Sequence, residues 1–441
     1  MSNLDKLINE LCPDGVEKVP LWRVTIWDKR FNSVEKSKQP LVKNYPYLLA
    51  ADLFALEKEG GDVFLLSTGE QTGWTTEELA GENLREGEVV AIPWGKSRPV
   101  AEVIKYYKGK FVTADNRIAT SADCNKLDNK YLFYWMQSQG RTIDSFYRGS
   151  GLKHPNMKDV LDLQIPLPPI EVQREIVRIL DNFAELTAEL TAEFTARQKQ
   201  YAFYRDYLLD FSNEDVTKKI PDIDCSNVEY KRLGDIATAI YRGAGIKRDE
   251  VTETGIPCVR YGEIYTTYNV TFNNCVSHTD EDKIQNKKYF EHGDVLFAIT
   301  GESVEEIAKS CVYLGHDKCL AGGDIVVLKH NQNPKYMAYV LSTTNAQSQK
   351  SKGKVKSKVV HSSVPAISDI IIPIPPLAEQ EKIANMIERF DHLCNDISNG
   401  LPAEIEARKK QYEYYRDTLL SFDDKACSHI VKVERERERE S

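Results

Sequence analysis

The sequence predicts a mixed α/β protein made of two similar globular halves, each followed by a long helix. The main observation is a segment, Ile165 to Phe211, that recurs from Ile372 to Phe422. Both copies open with Ile-Pro-x-Pro-Pro and close with QYAFYRDYLLDF or QYEYYRDTLLSF, which are identical at eight of twelve positions. A period of about 207 residues therefore divides the chain into two repeats.

The recurring segment is predicted to be helical. The paired prolines that open it suit a first helical turn, where a missing N–H costs nothing. Apolar residues then follow at heptad spacing, which is typical of a helix that packs along one stripe. The second copy has four extra residues near Asn399 to Pro402, a stutter that a heptad seam accommodates by local unwinding. The two helices are expected to pair with each other; the alternative is that each packs on its own globular half.

The globular halves echo one another in the same order along the chain. DGVEKVPLWRV corresponds to SNVEYKRLGDI, GEVVAIPWG to GDVLFAITG, and LDNKYLFYWMQS to NPKYMAYVLST. We therefore expect two copies of one mixed fold with different surfaces. The repeated Arg-Glu of the tail alternates charge without apolar residues, which favours a solvated segment over a core.

Composition sets limits on the class of protein. At 441 residues with 41% hydrophobic and 28% charged residues, the chain is long enough for two or three domains. No apolar run approaches the length of a membrane span, and MSNLDKLINELC does not have the pattern of a signal peptide. Nine cysteines without CxxC spacing favour reduced residues, a cytoplasmic location and no metal site. The net charge of −9 means that a nucleic-acid partner must be recognised by local basic patches.

The duplicated Pro-Pro-x-x-x-Gln opening and QYxxYRDxLLxF closing resemble the specificity subunit of a type I restriction–modification enzyme. The resemblance extends to about Phe422 and implies an antiparallel coiled coil of the two helices with pseudo-twofold symmetry. It implies that each globular half is a target recognition domain reading one part of a split site in double-stranded DNA. It also implies two modification subunits, which carry S-adenosylmethionine and methylate adenine, and restriction subunits that join through them with ATP and Mg. This chain would hold no cofactor.

These patterns predict five segments. They are recognition domain 1 at 1–166, helix 1 at 167–211, recognition domain 2 at 212–373, helix 2 at 374–422 and a charged tail at 423–441.

Candidate DNA-binding residues in the first half are basic, amide or aromatic side chains at predicted strand ends and loops, where binding groups are usually displayed. They are Trp94, Lys96, Arg98, Asn116, Arg117, Arg141, Arg148, Lys153 and His154. His154 and His361 sit at the same offset before the Pro-Pro motifs, and a structural role is an equal alternative for each. YRGSGLKH and YRGAGIKR contain Gly-x-Gly, which suits either a phosphate-binding loop or a plain turn.

The second half contains the strongest basic pattern, KSKGKVKSK at 350–358. On an extended segment its alternate lysines share one face and suit phosphate oxygens, which carry no sequence information. The alternative is a solvated edge that prevents strand pairing. The DNA-binding candidates of this half are Arg242, Lys247, Arg248, Arg260, Tyr261, Ser303, Lys350, Lys352, Lys354, Lys356, Lys358 and His361.

Candidate partner-binding residues lie in the repeated motifs, where aromatic residues and arginine exceed the needs of a two-helix seam. They are Gln173, Tyr201, Tyr204, Arg205, Gln380, Tyr412, Tyr415 and Arg416. The alternative is that they only close the coiled coil.

Catalytic motifs are not expected. Asp222, Glu229 and Lys231 imitate a nuclease set, but they lie across the linker and the start of the second half, and the first half lacks the Glu-x-Lys. Each Pro-Pro opens a helix instead of a methyltransferase loop, and GxxxxGK[ST] is missing. The chain is therefore predicted to be a non-catalytic DNA-recognition subunit. The alternatives are a single-chain DNA methyltransferase or nuclease with undetected motifs, and a coiled-coil scaffold without DNA binding.

Overall fold

The chain forms two compact units. This computed structural model describes residues 3–96, 98–150, 153–212, 223–224, 227–350, 354–356, 359–395 and 401–422, with backbone alone for 354–356, 359 and 392–395. Unit 1 contains Met1–Leu190 and Ile405–Ser441, and unit 2 contains Thr191–Glu404. Each unit therefore takes its helices from both repeats of the sequence.

The helices of the described residues are numbered here in chain order. The first eight lie in unit 1: α1 Asn3–Leu11, α2 Leu21–Val24, α3 Ala50–Ala55, α4 Glu77–Ala80, α5 Val100–Val103, α6 Asn129–Ser138, α7 Gly140–Ser145 and α8 Met157–Leu161. The remaining helices are α9 Ile170–Leu208, α10 Leu233–Ile236, α11 Tyr261–Thr266, α12 Pro334–Leu341, α13 Thr344–Lys350, α14 Val364–Ser368, α15 Leu377–Asn395 and α16 Leu401–Ser421.

The strands are short and numbered in the same way. Unit 1 has β1 Lys18–Pro20, β2 Thr25–Trp27, β3 Val63–Leu66, β4 Gly73–Thr75, β5 Arg85–Pro93, β6 Lys105–Thr113, β7 Asn116–Ser121, β8 Tyr147–Arg148, β9 His154–Pro155 and β10 Gln164–Pro166. Unit 2 begins with β11 Glu229–Arg232, β12 Ala237–Arg242, β13 Val251–Thr252, β14 Ile256–Val259, β15 Thr271–Phe272, β16 Ser277–Thr279 and β17 Tyr289–Phe290. It continues with β18 Val295–Ala298, β19 Thr300–Gly301, β20 Ser310–Tyr313, β21 Cys319–Ala321, β22 Ile325–His330, β23 Lys354–Lys356, β24 Val359–His361 and β25 Ile371–Ile374.

Unit 1 is built on a six-stranded sheet with the order β2-β7-β5-β6-β3-β4. Its pairs are antiparallel except for β3 and β6, which run parallel. Unit 2 contains two five-stranded sheets, β12-β22-β18-β20-β15 and β13-β16-β14-β21-β17, and a three-stranded sheet, β19-β24-β23. Both units are therefore mixed α/β, as the sequence predicts.

The two units share a common plan at the point where each long helix begins. In unit 1, β1 pairs antiparallel with β10, and Leu21 N donates to Leu163 O over 2.9 Å. In unit 2, β11 pairs antiparallel with β25, and Leu233 N donates to Ile370 O over 2.8 Å. The strand that precedes Pro-Pro is thus tied back to the first strand of its half. The echoes found in the sequence correspond to these strands, to β5 and β18, and to α6 and α12.

Helix α9 packs in both of the ways considered from the sequence. Val172, Ile176 and Leu180 are fully buried and belong to the main core of the preceding globular half. That core also includes Leu419 and Leu420 of α16, which comes from the other repeat. Heptad spacing explains the first contact surface, whereas the second depends on packing between segments more than 200 residues apart.

The order of the helices along the chain corresponds to the predicted antiparallel arrangement. Helix α9 starts in unit 1 and ends in unit 2, whereas α15 belongs to unit 2 and the following α16 belongs almost wholly to unit 1. The second helical segment therefore passes through the units in the opposite order. Of the stutter predicted at 399–402, residues 399 and 400 lie outside the described residues, and Leu401 and Pro402 begin helix α16. The charged tail at 423–441 also lies outside the described residues.

Candidate functional site

A buried glutamine fastens each globular half to its long helix. In unit 1, Gln173 Oε1 accepts from Asp128 N at 2.9 Å, and its Nε2 donates to the carbonyls of Lys126 and Pro168, each at 2.7 Å. Its relative exposure is 0%. Since Asp128 caps helix α6, this one amide joins the start of α6 to the start of α9.

Unit 2 contains the same arrangement around Gln380. Its Oε1 accepts from Asn333 N at 2.9 Å, and its Nε2 donates to Pro375 O and Gln332 Oε1, each at 2.8 Å. Gln380 is also 0% exposed. The prediction that Gln173 and Gln380 bind a partner protein is wrong, because both amides are enclosed and fully used inside the units. The sequence pattern shows that the two glutamines recur at equivalent positions, but it does not show whether their side chains are buried.

The closing motif of each repeat packs against the first part of the long helical segment of the other repeat. In unit 1 the rings of Tyr415 and Phe183 are stacked, with centroids 5.1 Å apart at 21°. In unit 2 the rings of Tyr204 and Phe390 are stacked at 6.0 Å and 14°. Tyr412 OH donates to Gln137 Oε1 at 2.8 Å. Tyr415 and Tyr204 therefore serve the internal seam, which was the alternative to partner binding, whereas Tyr412 joins its helix to α6.

Burial raises the pKa of the phenols of Tyr201 and Tyr412, the latter to about 12. Both therefore remain neutral near neutral pH, and their neighbouring arginines are engaged as well. Arg205 pairs with Asp206 at 2.7 Å and Arg416 with Asp417 at 2.8 Å. The side chains of the two arginines are only 14% and 12% exposed. Neither arginine presents a free guanidinium.

Two exposed aromatic residues of the same motif are not among those predicted from the sequence. Phe203 is 64% exposed and Tyr414 is 52% exposed, and they hold equivalent positions in the two repeats. Neither lies on the heptad seam, which is why a search along that seam passed over them. An apolar residue repeated off the seam was the available signal. Large exposed aromatics are typical anchors of protein interfaces.

Three of the first-half DNA candidates form one stack in unit 1. The guanidinium of Arg117 lies 3.9 Å from the ring centroid of Trp94, and the ring of His154 stacks on Trp94 at 4.6 Å and 26°. His154 Nδ1 is also 3.0 Å from Trp94 O. Trp94 is half-buried between these contacts and already stacks inside the unit.

Asn116 and Arg117 are interior residues, which corrects the expectation that both are displayed to DNA. Each is only 4% exposed. Asn116 Nδ2 donates to Leu66 O at 2.9 Å, and Arg117 Nη1 donates to Asp115 Oδ1 at 2.8 Å. Their role is to fix the ends of β3 and β7, which places nearby loops. Polar residues at strand ends look alike in a sequence whether they point outward or inward.

The remaining first-half candidates differ in how freely their charges are presented. Lys96 pairs with Asp144 and Arg98 with Glu70, while Arg148 Nη2 lies 3.5 Å from Asp159 Oδ2. Arg141 and Lys153 are exposed. The backbone of Lys153 forms an antiparallel bridge with that of Lys96, which holds the loop against β5.

Three of the second-half candidates, Arg248, Arg260 and Tyr261, line one cleft of unit 2. A cavity of about 590 Å³ is lined by Arg248, Arg260, Tyr261, Glu263 and Asp324, with glycines at its wall. An adjoining cavity of about 400 Å³ shares Tyr261 and continues to Thr300, Gly301 and Glu302. The structure therefore brings together residues that are 76 positions apart in the sequence.

Gly322 of this wall and the neighbouring Gly243 are glycines for a packing reason. A Cβ on Gly243 would lie 2.2 Å from Gly322 O, and one on Gly322 would lie 2.9 Å from Val259 O. Backbone segments thus pass too closely for any side chain. In YRGAGIKR the first glycine serves this close approach, which favours the structural interpretation of Gly-x-Gly. The corresponding stretch of YRGSGLKH includes residues 151–152, which lie outside the described residues.

The lysine-rich segment adjoins the cleft through its strands. β23 pairs with β24, and β24 pairs with β19, where Thr300 lies opposite His361. Thr300 Oγ1 is 3.2 Å from His361 Nδ1. Ser303 Oγ accepts from Glu306 N at 3.1 Å, so it also stabilises a turn. Lys352 and Lys358 lie outside the described residues, as do the side chains of Lys354 and Lys356.

Lys350 is an interior residue and not part of an exposed lysine face. It is 4% exposed, and its Nζ donates to Leu341 O at 2.6 Å and to Ser310 Oγ at 3.0 Å. Burial, together with the nearby positive charge of Arg205, lowers the pKa of Lys350 to about 7. The sequence prediction that Lys350 binds phosphate is therefore wrong. Helix α13 ends at Lys350, and the alternation that defines an extended face starts only after it.

The other cations of the second half are exposed but unequally restrained. Arg242 is held by Asp324 and the carbonyl of Gly323, and Lys247 Nζ lies 3.9 Å from Glu250 Oε1. Arg248 is exposed at the cleft rim. Within the described ranges, no group of three or more His, Cys, Asp or Glu residues is arranged to hold a metal ion. Among the same residues, no helix is both long enough and apolar enough to cross a membrane.

Comparison with known proteins decides the family. The family model described as "Type I restriction modification DNA specificity domain" matches residues 41–197 and again residues 225–407. The chain belongs to this family. Its two matched segments make it a type I specificity subunit with two recognition domains, as the resemblance in the sequence indicates.

Individual relatives agree with this assignment. The chain is 30% identical over 327 residues to the Escherichia coli type I restriction enzyme EcoR124I/EcoR124II specificity subunit, covering 69% of this chain and 74% of that protein. It is 28% identical over 349 residues to the Haemophilus influenzae putative specificity subunit S.HindORF215P, covering 76% and 83%. A solved structure concerned with complex assembly and conformational transition of the type I R-M system covers 92% of this chain and 98% of its own. That match has a TM-score of 0.55 at 16% identity and shows the shared fold.

Proposed function

We propose that this specificity subunit is the non-catalytic reader of a type I restriction–modification complex. Each recognition domain contacts one half of a split site in double-stranded DNA. Two modification subunits dock on the helices and methylate adenine with S-adenosylmethionine, while restriction subunits use ATP and Mg on the same assembly. The internal duplication is the observation that supports the proposal. The two units share one arrangement of strands and helices, and the helical motif of each repeat packs into the core of the unit that contains the other globular half.

The DNA-contacting surfaces are assigned from exposure and charge. In unit 2 we assign the cleft with Arg248, Arg260 and Tyr261, together with the adjoining lysine-rich strands. In unit 1 we assign the exposed Arg141 and Lys153 near β9. Cations near phosphates give affinity for any sequence, whereas planar side chains that reach base edges give specificity. Only the contacts to base edges require a side chain that is held in one orientation.

Partner docking is assigned to the exposed aromatic residues of the closing motifs. Phe203 and Tyr414 stand at equivalent positions, one in each unit, so the chain offers two equivalent docking points. Two such points suit two copies of one modification subunit, because a repeated surface binds a repeated partner. The cytoplasm, where chromosomal DNA of a bacterial cell lies, is the proposed location.

The test is to map methylated adenines in cells that carry the modification subunit with and without this chain. We expect methylation at one split sequence that disappears when the gene is removed. Methylation or cleavage by the purified chain alone would instead support the single-chain enzyme. Unchanged methylation after removal, with weak binding to any duplex, would support the scaffold.

A further inference from the structure

Arg260 stands at the mouth of the unit 2 cleft in a restrained position. It follows β14 directly and precedes the first residue of α11. Its Nε donates to Glu263 Oε1 at 3.0 Å, and its backbone N donates to Glu263 Oε2 at 3.1 Å. The side chain remains 36% exposed while that of Glu263 is 8% exposed. A buried carboxylate therefore holds the Nε side of an accessible guanidinium.

Glu263 is itself fixed by a second donor. Ser277 Oγ donates to Glu263 Oε1 at 2.6 Å, and the backbone carbonyl of Glu263 accepts from Thr267 and Tyr268. A carboxylate with several donors inside the fold has little freedom to move. The orientation of Arg260 is consequently set by unit 2 before any ligand arrives.

The contact to Glu263 uses Nε and leaves the end of the guanidinium open. Among the described residues, neither Nη1 nor Nη2 of Arg260 has a hydrogen-bond partner. A guanidinium held at Nε presents its two terminal nitrogens as a planar fork. That fork matches two acceptors on one flat edge, such as O6 and N7 of guanine in the major groove.

Arg242, which contacts two residues of the cleft wall, is held differently. Its Nε and Nη2 are both engaged, by Gly323 O and Asp324 Oδ1, so its terminal fork is incomplete. Arg248 is exposed at the rim, where a mobile cation suits a phosphate. Of the three arginines, Arg260 is the one whose fork is both restrained and open.

We infer that Arg260 reads a guanine in the half-site contacted by unit 2, and that Glu263 is the positioning residue that orients it. The inference rests on the proposed function and deepens it by assigning one base pair to one side chain. Removal of such a bidentate contact lowers discrimination at one base pair by about 5- to 150-fold, from about 1–3 kcal/mol. Loss of a phosphate contact would weaken all sequences alike.

The experiment maps methylated sites in cells that carry the modification subunit with the wild-type chain, Arg260→Ala, Arg260→Lys or Glu263→Gln. We expect both arginine variants to relax one G·C pair in one half-site and to leave the other half-site unchanged. Lysine retains the charge but lacks the fork, so it should not restore discrimination. Glu263→Gln should relax the same pair to a smaller extent. Arg232→Ala, which removes an exposed arginine paired with Asp369 at 3.2 Å, is the matched control.

A binding measurement with the purified complex tests whether Arg260 contacts one particular atom of the base, N7 of guanine. Replacing the guanine at the relaxed position by 7-deazaguanine should weaken the wild-type complex and cause no further loss with Arg260→Ala. An unchanged motif, an altered A·T pair, a uniform loss at every site or additive losses in the binding test would each overturn the inference. If the wild-type chain directs no split-site methylation at all, the proposed function itself fails, so the two failures are distinguishable.

Discussion

The ring of Phe183, in the first part of the helical segment of the first repeat, stacks on the ring of Tyr415, which belongs to the closing motif of the second repeat. Phe390 and Tyr204 repeat the relationship with the roles of the two repeats reversed. Each unit is thus completed by a helical segment that follows the globular half of the other unit in the sequence. The repeated motifs therefore specify both where each long helix begins and which distant segment packs against it.

The two stacked pairs differ in burial, and this difference is testable. Tyr415 is 9% exposed in the main core of unit 1, whereas Tyr204 is 40% exposed. Tyr415→Ala should lower the free energy of unfolding by about 3 kcal/mol, because it removes a buried aromatic ring. Tyr204→Ala should cost about 1 kcal/mol, mainly because the ring stacking is removed. Denaturant unfolding of both variants measures the two losses of stability, and equal losses would contradict this account.

Docking of the modification subunits provides the second prediction. Phe203→Ala and Tyr414→Ala should each remove one docking point, so each single variant should retain one modification subunit and the double variant none. Removal of an anchor of this kind weakens binding by at least about 30-fold, or about 2 kcal/mol. Unfolding should change little, because both rings are exposed.

Mass measurement of the purified complexes reports the stoichiometry directly. Trp74→Ala, which removes a 46% exposed ring from unit 1 away from the motif, is the control. Two modification subunits on the Phe203→Ala, Tyr414→Ala double variant would refute this assignment. In that case Arg205→Ala and Arg416→Ala become the next variants to measure, although both arginines are engaged with neighbouring aspartates.

Lys350 leads to a prediction about pH. Its folded-state pKa of about 7 lies below the ordinary value of 10.5, because burial disfavours the charged form. Between pH 7 and pH 10 the unfolded chain therefore binds a proton that the folded chain lacks, and stability rises with pH. The rise is at most about 1.4 kcal/mol per pH unit. Lys350→Met removes this dependence.

The measurement is the free energy of unfolding of the wild-type chain and of Lys350→Met at pH 7 and pH 9. The difference between them should shift in favour of the wild-type chain by about 1–2.5 kcal/mol over that interval. Lys283→Met serves as a control in the same unit, since the side chain of Lys283 is 64% exposed. A constant difference would mean that Lys350 keeps its proton in the fold.

The fold was more predictable from the sequence than the site. Proline pairs, heptad spacing and ordered echoes are local patterns, and they correctly indicated two α/β units and long helices. Gln173, Asn116 and Lys350 show where such patterns stop being informative. Each is a polar residue in a suggestive position, and each proves to be buried because a distant segment supplies its hydrogen-bond partners. Direction and burial depend on contacts that no short window of sequence contains.

Arg260 illustrates the opposite case. In the sequence it is one candidate arginine among several. It differs from Arg242 because its Nε is held by Glu263 while its terminal nitrogens stay open toward the cleft. The spacing Arg-x-x-Glu was visible in the sequence, but it is equally typical of an ordinary helix start. The information that selects among equivalent residue types is therefore three-dimensional.

The lysine-rich segment supplies a prediction about salt. Changing Lys352, Lys354, Lys356 and Lys358 to Gln should weaken binding of all DNA sequences about equally. The slope of log K against log salt should become less steep by roughly 0.9 for each phosphate that is no longer neutralised. Lys283→Gln is the control outside this segment. If the slope is the same in the fourfold variant, the lysines have another role, such as protection of a strand edge.

The last prediction concerns the distance between the two half-sites. FAEL-TAEL-TAEF, residues 183–194, lies inside the uninterrupted helix α9 where the chain passes from unit 1 to unit 2. Such a segment is either a simple helix-forming composition or a ruler whose repeat number sets the unread gap. The matching Leu393 and Ile397 side chains of the second copy lie outside the described residues.

One added TAEL lengthens a helix by about 6 Å and rotates the remainder of that helix by about 40°. One base pair advances DNA by about 3.4 Å and rotates it by roughly 34–36°. Both recognition domains must face their grooves in phase, so rotation decides the outcome. Insertion of TAEL after Leu190 should keep both half-sites and widen the gap by one base pair, as read from the methylated sites. Insertion of TAAL is the control for composition and should act identically, because length and not charge sets the phase. An altered half-site with the original gap would show that the repeat is not the ruler.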